Sequence, residues 1–183
     1  MEIGFVGLGR MGGAMVHRLH AAGHQVLAHD GQAAAQDAAR AKGIAVAADL
    51  PALVAQLKAP RVVWLMTPPG QGTCALIETL GAMLAEGDTI VDGGNSDFRD
   101  TRRLAAALRE RGVTLVDAGV SGGTQGARDG CGLLVGAEPA LFERLVPVFE
   151  ALAAPGAYAR VGGSGVGHFA KAVHNGVEYA LMQ

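Results

Sequence analysis

Gly7-Leu8-Gly9-Arg10-Met11-Gly12 restricts the fold of this chain more than any other segment, because of where it lies. The apolar run Ile3 to Val6 reads as a strand and stops directly before it. Met11 to Ala22 follows as a helix, with Met15, Val16 and Leu19 on one side and Gly23 as its stop. A second strand, Gln25 to Ala28, leads to an acidic residue, Asp30. Strand, glycine turn, helix, strand and acid in that order are what a dinucleotide-binding βαβ unit requires. Gly7 would permit the tight turn, Gly9 would let a pyrophosphate approach the backbone, and Gly12 would let the helix lie close on the sheet. The free amides at the helix N-terminus then receive the phosphates.

The same rhythm continues. Ala33 to Ala41 reads as a helix, Ile44 to Val46 as a short strand, and Asp49-Leu50-Pro51 as an N-cap with proline in the first turn. Arg61 to Met66 is a buried strand closed by Thr67-Pro68-Pro69-Gly70. A helix to about Leu84, a strand Thr89 to Val91, a helix Phe98 to Arg111 and a strand Val113 to Val116 come next. A glycine-rich stretch from Gly119 to Gly132 precedes a strand Leu133 to Val135, a helix Pro139 to Leu152, a strand near Tyr158 to Val161 and a final helix from about Val166. Short connections between alternating strands and helices predict an α/β, Rossmann-like, doubly wound and mostly parallel sheet. An added αβ unit and the start of a long C-terminal helix complete it. That division gives a nucleotide domain over residues 1–164 and a helix start over 165–183. The last residues carry no helix-stop signal, so the expectation is a fragment cut through a helix.

Composition removes several classes of function. The formal net charge is −2, so no basic footprint for nucleic acid or anionic membrane exists. No apolar run reaches the ~20 residues of a membrane span, and the first residues lack the basic segment of a signal peptide. Cys74 and Cys131 are the only cysteines. They show no metal-ligand spacing and read as inert buried thiols of a soluble, cytoplasmic chain. The 28 glycines are clustered, which points to turns and close backbone approaches.

Asp30 bears on the choice of cofactor. A carboxylate there accepts hydrogen bonds from the adenosine ribose hydroxyls of NAD, whereas NADP would bring a phosphate beside it. Two unit charges ~4 Å apart repel by about 4 kcal/mol at an effective dielectric of 20. A third of that is still about tenfold in affinity. Gly31 and Gln32 supply no compensating cation, and Arg40 and Lys42 lie on or beyond the next helix. NAD is therefore expected over NADP.

Three further segments suggest a reaction site. Val91-Asp92-Gly93-Gly94-Asn95-Ser96 lies past the end of a strand, where open α/β sheets place ligands. Asp117-Ala118-Gly119-Val120-Ser121-Gly122-Gly123 also follows a strand, and its paired glycines could present amides to an anion. Near the end, Lys171, His174, Asn175 and Glu178 stand at i, i+3, i+4 and i+7 and so share one helical face. Ala170, Val173, Val177 and Leu181 form a separate apolar stripe, expected to pack on the domain. A solvated polar face is the ordinary explanation of such spacing. Its mixture of a base, an acid and two neutral hydrogen-bonding groups, preceded by Gly162-Gly163-Ser164-Gly165-Val166-Gly167-His168, argues instead for a site.

Taken together these segments resemble the 6-phosphogluconate dehydrogenases, within the β-hydroxyacid dehydrogenase superfamily. The resemblance rests on the opening glycine motif, Asp92-Gly-Gly-Asn-Ser, Val120-Ser-Gly-Gly, and above all the block Gly167-His-Phe-Ala-Lys-Ala-Val-His-Asn-Gly-Val-Glu-Tyr. Lys171 and Asn175 would be shared across the superfamily, including 3-hydroxyisobutyrate dehydrogenases, whereas His174, Glu178 and Tyr179 point to the sugar-acid branch. The resemblance implies NAD-dependent oxidative decarboxylation of 6-phosphogluconate, with Lys171 and Glu178 catalytic. It implies Asn95, Ser121, Gly122, Gly123, His174, Asn175 and Tyr179 as substrate contacts. Gly7, Leu8, Gly9, Arg10, Met11, Gly12, Asp30, Met66 and Asn95 would hold the cofactor. It also implies a homo-oligomer when intact and an all-helical C-terminal domain beyond this chain, without which turnover is in doubt. Two other readings are a 3-hydroxyisobutyrate-type dehydrogenase, which would not need Glu178, and a non-catalytic dinucleotide-binding module.

Overall fold

The computed structural model describes residues 1–183. Strands β1 (Glu2–Val6), β2 (Gln25–His29) and β3 (Ala45–Val46) alternate with helices α1 (Arg10–Ala21) and α2 (Ala33–Arg40). Helix α3 (Leu50–Gln56) then returns the chain to the far side of β1, where β4 (Val62–Leu65) pairs in parallel. The chain continues through α4 (Gln71–Met83), β5 (Thr89–Asp92), α5 (Phe98–Arg109) and β6 (Thr114–Ser121). It ends with α6 (Gly123–Asp129), β7 (Cys131–Gly136), α7 (Pro139–Leu152), β8 (Ala153–Gly162) and α8 (Val166–Leu181). One eight-stranded sheet results, in the order β3-β2-β1-β4-β5-β6-β7-β8. Every pairing is parallel except β6 with β7. The strand order reverses between β1 and β4, so their C-terminal ends open the crevice in which such sheets hold ligands.

Alternation along the strands builds a core on each face. Ile3, Phe5, Val62, Trp64, Val91 and Val116 join Met15, Val16 and Leu19 of α1 and Phe149 of α7 on one side. Val6, Val63, Leu65, Ile90 and Leu115 join Leu53, Ile77, Leu80 and Leu104 of α3, α4 and α5 on the other. The N-cap expectation holds: the Asp49 carboxylate accepts from Ala52 N at 2.7 Å, with Pro51 in the first turn. Both thiols are buried, and burial pushes Cys131 up to about 11.

Four expectations need correction. The strand read as ending at Val116 does not stop there: β6 runs on to Ser121, because β7 pairs with Asp117 to Ser121 in antiparallel register. The following glycine-rich stretch holds α6, which glycine content had hidden. The last strand begins at Ala153, before Pro155 and Gly156, and reaches Gly162. Most consequentially, the stripe Val173, Val177 and Leu181 of α8 faces outward, whereas His168 and Lys171 are buried. Of the polar set only Lys171 is laid against the sheet; Asn175 is partly buried, and His174 and Glu178 stay half exposed.

Asp88 ties β5 to its neighbours. Its side chain is fully buried, accepting from Arg61 N at 2.6 Å, Ala85 N at 3.0 Å and the Arg61 guanidinium at 2.9 Å. Burial opposes the charge, yet these donors together hold the carboxyl below its ordinary 3.8. A depressed carboxyl stabilises the fold fully above its unfolded value and loses that contribution as pH falls below about 4. Denaturant unfolding across pH 3 to 7 should show stability dropping at the acid end. Asp88→Ala should cost about 3 kcal/mol at neutral pH by stranding Arg61.

Candidate active site

The glycine turn after β1 has the geometry its sequence requires. Gly7 has φ +99 and donates to His29 O at 3.0 Å. A Cβ added there would come within 2.5 Å of Met66 O, so only glycine fits both the angle and the space. Gly9 is the N-cap of α1 and provides no side-chain cap, leaving the first amides of the helix for an anion. A Cβ on Gly9 would meet no protein atom within 4 Å; it would project into open space. These features fit a dinucleotide pyrophosphate.

A cleft of about 610 Å³ lies over this turn at the ends of β1 and β4. Of the residues read as cofactor contacts, Gly7, Gly9, Arg10, Met11, Gly12, Asp30, Met66 and Asn95 line it. Leu8 does not. Its side chain is buried in the core and its amide donates to Asp30 Oδ2 at 2.6 Å. The other Asp30 oxygen accepts from Gln32 N at 2.8 Å, so the carboxylate clasps the glycine turn to the loop after β2. Each oxygen keeps a lone pair for a further donor. Arg10 is the one Lys or Arg in the cleft, since Arg40 pairs with Asp37 and Lys42 lies elsewhere. The sequence reading missed His29, Leu50, Thr67, Pro68, Pro69, Leu76 and Thr124 of the lining. Thr67 to Pro69 could have been found, because they directly follow β4 at the crossover.

Asn95 joins the cleft to a second centre. It holds φ +55, donates through Nδ2 to Val120 O at 3.2 Å and accepts from Val120 N at 2.9 Å. That bridge sets the end of β6, where Ser121 Oγ accepts from Lys171 Nζ at 2.8 Å. Lys171 Nζ also donates to Asn175 Oδ1 one turn along α8. The lysine is 7% exposed. Burial pushes its pKa below the usual 10.5, against the opposing pull of Glu178. Gly119 makes the arrangement possible: a side chain there would collide with Lys171 Cβ and come within 3.0 Å of Gly167 O.

Buried polar groups missed in the sequence fix the start of α8. Asp117, with no exposure, accepts from Gly165 N at 2.6 Å and His168 N at 2.7 Å. Burial pushes this carboxyl up, against the pull of His168 and the two amides. The His168 ring spans Thr101 Oγ1 at 2.9 Å and Asp92 O at 3.1 Å. The helix that carries Lys171 is thus anchored to β5, β6 and α5. The remaining expected residues sit further out. Gly122 and Gly123 both have positive φ at the start of α6. His174 and Glu178 are half exposed, 3.6 Å apart, and Tyr179 is 64% exposed.

The chain is similar to known proteins in sequence and fold. A family model described as the NAD binding domain of 6-phosphogluconate dehydrogenase matches residues 2–164. An NAD(+)-dependent, decarboxylating 6-phosphogluconate dehydrogenase of Haloferax volcanii is 43% identical over the whole chain, which spans 60% of that relative. Among solved structures, a 6-phosphogluconate dehydrogenase of Plasmodium falciparum, whose cofactor is NADP+, superposes with a TM-score of 0.91 at 27% identity. That match covers 100% of this chain and 41% of the other. A 3-hydroxyisobutyrate dehydrogenase of Mycobacterium tuberculosis superposes with a TM-score of 0.88 at 33% identity, over 96% of this chain and 59% of the other. The chain therefore spans between about two fifths and three fifths of these proteins. No helix is long and apolar enough to cross a membrane.

Proposed function

The chain belongs to the 6-phosphogluconate dehydrogenase family through its dinucleotide-binding domain, and on that premise we propose that it serves NAD-dependent oxidative decarboxylation of 6-phosphogluconate to ribulose 5-phosphate and CO2. The observation that carries this reading is the buried Lys171, held by Ser121 and Asn175 and linked through Val120 and Asn95 to the cofactor cleft. Residues 165–183 act, in this reading, as the beginning of a connection to an all-helical region, and the intact enzyme is a homo-oligomer.

The chain's own residues divide the work. NAD, when bound, supplies the hydride acceptor. Gly7, Gly9, Gly12 and the first turn of α1 hold its pyrophosphate, and Asp30 its adenosine ribose. Neutral Lys171 takes the proton of the C3 hydroxyl as C3 is oxidised. After the resulting 3-keto acid loses CO2, the protonated Lys171 donates to the developing enolate oxygen. Glu178 then gives a proton to C1 of the enediol while Lys171, neutral again, takes back the proton of the adjacent enol hydroxyl, leaving the ketone. A buried lysine and a half-exposed carboxyl supply the two different environments that such a division needs. Asn95, Ser121, Gly122, Gly123, His174, Asn175 and Tyr179 position the hydroxyls, carboxylate and phosphate.

Glu178→Gln tests the reaction class. Decarboxylation of 6-phosphogluconate should fall by about 10²-fold or more, the range of a lost general acid. Full activity on a short β-hydroxy acid without CO2 release would instead favour a 3-hydroxyisobutyrate-type reaction, in which Glu178 has no part.

A further inference from the structure

A second cavity, of about 880 Å³, lies between α1, α2 and α6, on the other side of α1's first turn from the cofactor cleft. Its origin is visible in the sequence. Five of the eight residues of α2 are alanine, so this helix cannot fill the groove beside α1. Val16, Ala35, Ala39 and Ile44 leave an apolar floor. Around it stand Arg10, Arg18, Lys42 and Arg128, with His17 between them, and no aspartate or glutamate lines the cavity.

Such a concentration of positive charge is unexpected in a chain of formal net charge −2. None of these five side chains enters an ion pair. Arg18 is held in place by two carbonyls, through Nε to Ala151 O at 3.2 Å and Nη1 to Arg128 O at 2.9 Å. A fixed guanidinium with further cations around an alanine floor matches an anion carrying a flat apolar body.

We propose that this groove is an accessory binding site for an organic phosphate with an aromatic or apolar body, separate from the dinucleotide cleft. The two share only Gly9, Arg10 and Thr124 at their common wall, so the groove takes its ligand with the cofactor in place. The site does not depend on the reaction assigned above.

1-Naphthyl phosphate, an aromatic dianion, is the probe. Its fluorescence anisotropy is followed while the NAD-saturated chain is added, with 1-naphthylmethanol as the uncharged control. Saturable binding of the phosphate but not the alcohol is expected. The exposed pair Lys42→Glu and Arg128→Glu should weaken it by about tenfold or more, with NAD affinity and thermal unfolding unchanged. Binding that survives the double charge reversal, or that NAD displaces mole for mole, overturns the proposal, as does the absence of binding. If the chain proves dimeric and the double reversal makes it monomeric, the groove is an interface between copies.

Discussion

On the proposed function, Lys171→Met in the intact enzyme should leave dinucleotide binding unchanged and lower turnover of 6-phosphogluconate by about 10²- to 10⁴-fold, the span of a lost general base. Two readouts separate this from a structural effect. Lys171 approaches the methionine in size, and its helix is held by Asp117 and His168, so thermal unfolding should change little. The wild-type rate should rise with pH as Lys171 loses its proton, at a value below the ordinary 10.5 because burial disfavours the charge. Lys42, Lys58 and Lys171 are the only lysines, so a ¹³C NMR titration resolves that value directly. A Lys171 that titrates at or above 10.5 would remove its claim to be the base.

Gly12→Ala has the opposite signature, with binding lost before chemistry. An added Cβ would collide with the Gly7 carbonyl and come within 3.3 Å of Met66 Cβ. The carbonyl is backbone and cannot swing aside, so the turn and α1 must separate. Overpacking of this kind costs about 1–3 kcal/mol of stability. Because the displaced elements are the ones that hold the pyrophosphate, affinity for NAD should fall by about 10²-fold. Gly13→Ala is the control. Its Cβ approaches only Leu8 O, at 3.2 Å, and it should keep most of the binding.

Much of this architecture was legible because local signals and tertiary role coincide. The turn at Gly7 needs an angle that only glycine adopts freely, and Asp49 with Pro51 marks a helix start that formed as read. Periodicity misled where tertiary pairing decided. β6 runs through Gly119 and on to Ser121 because β7 lies antiparallel beside it, and no local pattern reveals that partner. On α8 the spacing showed two faces but not which one is buried. Ordinary hydrophobic reasoning chose the valines, whereas Gly119 and Gly167 bring the helix so close to β6 that Lys171 lies beneath it. Asp117 and His168 were invisible as scaffolding, since their importance rests on bonds to residues tens of positions away.

Calorimetric titration of the chain with NAD and with NADP, at one fixed salt concentration, tests the central claim most directly. The account predicts NAD binding at least about tenfold tighter than NADP, with Asp30→Ala narrowing the gap by removing the carboxylate beside the added phosphate. Equal or tighter binding of NADP would contradict the role given to Asp30. Failure of a folded chain to bind either dinucleotide would contradict the cleft itself.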